Sequence, residues 1–147
     1  AHIKKTPMRK LLPLAVALAV ALPVSAQATK CTFTPTGASC GPKLTGSEHL
    51  ADGIVIATFK VTNAPATAHG LIVFGVKPLN LKLPGNCFLH VEPLVAVVIN
   101  SDSKGRASRT FVRPQHTPLK LTLLCQTGFA KHNQALETSN ALKIECK

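Results

Sequence analysis

Five cysteines, Cys31, Cys40, Cys87, Cys125 and Cys146, are spread over a chain of 147 residues with none before residue 31. The segment ahead of them decides what they become. Lys4, Lys5, Arg9 and Lys10 precede an apolar run of 14 residues, 11–24, and small residues follow, with Ala26 and Ala28 at the −3 and −1 places of an A-x-A cleavage site. That order is the signature of a secretory signal peptide. The run is shorter than the roughly 20 residues a membrane span needs, and Pro13 and Pro23 interrupt it. Residues 1–28 therefore read as an N-terminal extension and signal, with Met8 able to start it. Residues 29–147 read as one exported domain, secreted or periplasmic, that meets a membrane only through the uncleaved signal.

Export delivers the cysteines to an oxidising compartment, so disulfides are the expected outcome. A zinc site asks for a close cysteine pair, whereas the nearest two here, Cys31 and Cys40, have eight residues between them. An odd number leaves at least one thiol over. The 119 residues after position 28 suffice for a single core, burying roughly two-thirds of the unfolded surface. They keep 13 of the 17 lysines and arginines and all six acidic residues, a net charge of +7.

Beyond the signal, apolar residues alternate or run in short blocks between turn residues, which is a strand pattern. It predicts strands over 31–34, 54–62, 71–76, 79–83, 87–91, 94–100, 107–112, 119–127 and 141–146. Turn chemistry separates them at Asn63-Ala-Pro65, Pro84-Gly-Asn86, 101–105 and 114–118. Gly105 suits a hairpin loop needing positive φ. Ala57, Phe59 and Val61 alternate with Thr58, Lys60 and Thr62, which gives one buried and one wet face. The polar stretch 131–140 reads as a long loop or a short helix. The fold class expected is all-β, a two-sheet antiparallel sandwich of about eight strands, immunoglobulin-like or related.

From Gly37 onward the chain resembles an uncharacterised module of secreted proteins from environmental bacteria, often found at their C-termini. The landmarks are Gly37-Ala-Ser-Cys40, Leu71-Ile-Val-Phe-Gly75, Leu83-Pro-Gly-Asn-Cys87, Ser103-Lys-Gly105, Leu123-Leu-Cys125-Gln126 and Ser139-Asn140-Ala-Leu142. The resemblance implies a β-sandwich and carries no established activity. This chain departs from the pattern in its extra cysteines, Cys31, Cys125 and Cys146, and it reads as a module expected to stand alone behind its signal. The landmark cysteines Cys40 and Cys87 are expected to pair with each other. A second bridge is expected between Cys31 and Cys146, fastening the terminal strands and leaving Cys125 alone, with Cys31 to Cys125 as the other possibility.

Catalysis needs a nucleophile, an acid/base pair or a metal. The six carboxylates form no visible pair. His49, His69, His90, His116 and His132 show no metal-binding spacing, and although His49 lies near Asp52, no nucleophile elbow accompanies them. No cofactor is implied. A carbohydrate platform lacks its rings, since the chain has no Trp or Tyr, and Phe59, Phe74, Phe88 and Phe111 sit in strand patterns that place them in the core. The sharpest surface feature is the basic stretch Lys104, Arg106, Arg109, Arg113 and Lys120, in which Arg109 and Arg113 share a parity. It reads as a solvated hairpin that discourages edge pairing, or as a binding surface for an acidic extracellular polymer. No motif for specific nucleic-acid recognition accompanies it. The expected function is a non-enzymatic structural or interaction module, whose partner could be such a polymer or a cell-surface protein. A small secreted hydrolase is the remotest alternative.

Overall fold

The computed structural model describes residues 30–117 and 120–147. The predicted signal peptide, and the start of the strand expected at Leu119, lie outside the described residues. The described chain is built from ten strands: β1 (Cys31–Thr36), β2 (Lys43–Ala51), β3 (Ile54–Thr62), β4 (His69–Gly75), β5 (Pro78–Leu83), β6 (Cys87–Val91), β7 (Val95–Val98), β8 (Ala107–Pro114), β9 (Leu121–Ala130) and β10 (Glu137–Cys146). Among the described residues no helix is long and apolar enough to cross a membrane.

The strands form a five-stranded sheet in the order β1-β10-β9-β4-β7, a three-stranded sheet β2-β3-β8 and a hairpin β5-β6. Every pairing is antiparallel. The two larger sheets face each other across a core that includes Leu44, Phe59 and Val61 on one side and Ile72, Cys125, Phe129 and Leu142 on the other. The all-β sandwich read from the sequence is thus the fold, with ten strands where about eight were expected.

The strand without a clear apolar alternation in the sequence is β2. Its inner face carries Leu44, Gly46, Glu48 and Leu50, opposite Val61, Phe59, Ala57 and Val55 of β3, so a glycine and a carboxylate break the apolar alternation. Gly46 is required by the core: a Cβ there would lie 2.5 Å from the ring of Phe33. The β2–β3 hairpin closes through Asp52 and Gly53, both at positive φ (47° and 80°), as a two-residue hairpin turn demands.

The stretch 131–140 is a loop only as far as Leu136. Beyond it Thr138, Ser139 and Asn140 are buried strand residues, polar groups made tolerable by hydrogen bonds. Gln126 projects from the outer face of the five-stranded sheet and holds the β5-β6 hairpin against it. Its Oε1 accepts the His90 amide at 2.7 Å and its Nε2 donates to Phe88 O at 2.8 Å. Phe88 accordingly stacks on His90 in this third layer and does not join the main core, where the sequence placed it.

Both expected disulfides are present. Cys31–Cys146 joins directly opposed residues of β1 and β10, and Cys40–Cys87 ties the β1–β2 connection to the hairpin. Cys125 is the buried free thiol. Burial pushes it up to about 12, against a small opposing effect from a backbone hydrogen bond with Leu142.

Candidate functional site

The basic stretch is not a hairpin. β7 belongs to the five-stranded sheet and β8 to the three-stranded one, so residues 99–106 cross from one sheet to the other. Gly105 has the expected positive φ of 71°, and a Cβ there would stand 2.2 Å from the Ala64 carbonyl oxygen. Asp102 organises the turn, its Oδ1 accepting the amides of Lys104 and Arg106 at 2.8 and 2.9 Å. Those two bonds hold its carboxyl below the ordinary aspartate range, and the Arg106 charge assists.

The cations therefore part company. Arg106 is exposed and turned to Asp102, with Nε 3.4 Å from its carboxylate. Lys104 is exposed on the turn, and Lys120 is exposed ahead of β9, beside Glu145 and Lys147. Arg109 and Arg113 share their parity with Ala107 and Phe111, and that parity is the inner face of β8, opposite Val55, Ala57, Phe59 and Val61. Arg109 reaches the rim, where Nη1 donates to the Val98 carbonyl at 3.3 Å. Arg113 turns inward with only 17% of its side chain exposed. The five residues do not make one surface for an acidic polymer, and Phe111, lying between the two arginines, carried the signal that their shared face is the inner one.

What Arg113 lines is a cleft. Between the sheets, at the end where β8 finishes and β9 begins, lies an apolar cavity of about 420 Å³. Phe59, Phe74, Phe111, Val97, Leu123 and Ile144 form much of its wall, and the bridged Cys31 and Cys146 belong to its lining. Phe59 meets Phe33, Phe74 and Phe111 edge-on, each at 5.7 Å between centroids, and Phe74 meets Phe111 across the two sheets at 5.6 Å. Such edge-to-face contacts are the arrangement that aromatic rings prefer. Leu94 and Val95 are exposed at the cleft's mouth.

Two charged side chains reach this lining. Glu48 Oε1 accepts the Cys31 amide at 2.6 Å, and Arg113 Nη2 stands 3.7 Å from Glu48 Oε2. Each charge offsets the other, which is what makes their partial burial bearable. Elsewhere the histidines stay apart: His49, His69, His116 and His132 are exposed, while His90 stacks on Phe88 and bonds Ala38 O through Nε2 at 2.8 Å. Among the described residues no three His, Cys, Asp or Glu side chains gather as a metal site.

The cleft was not visible in the sequence because strands from both sheets contribute its walls, and no local motif encodes their meeting. No family model matches the chain, and no curated protein matches it.

Proposed function

We propose that the chain is an exported, non-enzymatic binding module that holds an apolar ligand in the cleft between its sheets. The observation that carries this reading is the 420 Å³ apolar cavity itself, which falls within the roughly 300–1,000 Å³ of ligand pockets. Its rings and aliphatic side chains give an apolar molecule contact on both sides, and the paired Glu48 and Arg113 supply a local polar end. Export is supported by the N-terminal basic-apolar-small pattern and by the two disulfides, which belong to oxidising compartments.

The test is a titration with N-phenyl-1-naphthylamine, whose fluorescence rises in an apolar site. Saturable binding by the native protein is expected. Ala57→Leu, which fills the cleft from the β3 side, should weaken it about tenfold, equivalent to 1.4 kcal/mol. An unchanged titration in that variant, or no fluorescence rise with the native protein, would overturn the reading.

A further inference from the structure

A second apolar recess, of about 430 Å³, lies on the outer face of the five-stranded sheet, where Leu71, Val73 and Val98 meet Leu89 from the hairpin and Leu136 from the last loop. Strand β7 separates the two recesses. Its Val95 and Val97 line the inner cleft and its Val98 lines the outer one. The strand is also the edge of its sheet. Ile99 N donates to Gly70 O of β4, so by antiparallel alternation Val97 and Val95 face β4, whereas Ala96 and Val98 turn their N–H and C=O outward. Arg109 reaches one of these outward groups, the Val98 carbonyl.

The other edges of the two larger sheets carry protection that β7 lacks. β1 holds Pro35, β2 holds Lys43, Glu48 and His49, and β8 holds Arg109, Arg113 and Pro114, whereas β7 is Val-Ala-Val-Val. Charges and prolines are the devices that keep edges from pairing. An apolar edge with a recess on each face has the layout for adding a strand, because main-chain bonds supply affinity and alternate side chains find pockets on opposite faces.

We infer that β7 is a strand-addition site for an extended apolar polypeptide segment bearing a carboxylate at the end that lies beside Arg109. Residues of the segment facing Val95 and Val97 enter the inner cleft, and those facing Ala96 and Val98 enter the outer recess. The charge requirement follows from the rim: Arg109 stands at the Val98 end, whereas Glu92 precedes the strand at the other. The inference shares the inner cleft with the proposed ligand site but depends on the backbone edge, which that site does not use.

The experiment uses a capped synthetic peptide of alternating valine and leucine closed by two aspartates, followed by amide hydrogen exchange and by affinity. Saturating peptide should slow exchange at Ala96 and Val98 about tenfold or more, the scale of one gained main-chain bond. Ala96→Pro removes an outward N–H and spares the ladder to β4, so it should weaken the peptide about tenfold by that measure while leaving naphthylamine binding as it was. Val98→Lys, which keeps its N–H but places a charge in the outer recess, should act likewise and serves where the proline variant fails to fold. Unaltered exchange at Ala96 and Val98, or native affinity in both variants, would overturn the inference. Dimerisation without peptide that Val98→Lys abolishes would assign the edge to a second copy and overturn it too. Peptide binding without naphthylamine binding would remove the ligand reading and leave this one standing.

Discussion

Asn140 completes the backbone of Leu44 from the opposite sheet. Its Oδ1 accepts the Leu44 N–H at 2.9 Å and its Nδ2 donates to the Leu44 carbonyl at 3.1 Å. A side-chain amide thus does for β2 what a neighbouring strand does elsewhere, at the place where β10 carries its irregularity between Thr138 and Ala141.

Asn140→Ala should therefore destabilise the fold by about 2–4 kcal/mol, because it strands a buried donor and acceptor of Leu44 at about 1–3 kcal/mol per orphaned group. Urea denaturation reads this directly. A change below 0.5 kcal/mol would show that the cross-sheet clamp carries no stability.

The two bridges should contribute separately. In the chain-entropy treatment, closing the 115-residue separation of Cys31–Cys146 and the 47-residue separation of Cys40–Cys87 corresponds to about 5 and about 4 kcal/mol. Replacing either pair by serine should lower the denaturation midpoint, with the Cys31 and Cys146 pair costing at least as much. Non-reducing peptide mapping should recover both linkages with Cys125 unlinked.

The Cys125 thiol also sets an alkaline limit. Its folded value of about 12 lies above the ordinary 9.0, so the contribution is complete below about pH 9. It is lost as pH rises towards 12, at about 1.4 kcal/mol per pH unit. Cys125→Ala should flatten that slope, and native protein should resist alkylation at pH 8. Asp102 acts in the opposite direction: its lowered carboxyl favours the fold above the ordinary aspartate range, a preference that fades on acidification.

The arginines should separate by position. Arg106→Ser is expected to leave stability within about 0.5 kcal/mol, as surface changes do. Arg113→Ser removes the charged partner of the largely buried Glu48 and should cost about 2 kcal/mol, near the value of a charged contact. Paired denaturation curves check both, and retention of each variant on an anionic column shows whether charge-driven binding follows Arg106 or Arg113.

Much of the fold was legible because most strands keep their apolar alternation, as Ala57, Phe59 and Val61 do. It failed where the core face is polar or bare. Gly46 and Glu48 hid β2, although Asp52-Gly53 was a hairpin signal in plain view. Thr138, Ser139 and Asn140 hid the start of β10, since a polar residue satisfied by distant partners looks like a loop residue until those partners are known. The basic stretch was legible as composition and misleading as a surface, because the sheet to which β8 belongs decides which way Arg109 and Arg113 point.

Residues 30 and 147 exchange two main-chain hydrogen bonds, at 3.2 and 3.0 Å, beside the Cys31–Cys146 bridge. A pull applied between these two residues would load one covalent bond and leave both sheets slack. Mechanically the oxidised domain is a closed loop hung from a single rivet. Under tension it should lengthen by almost nothing until that bond is reduced, and then give up only the strands outside the loop that Cys40–Cys87 still closes.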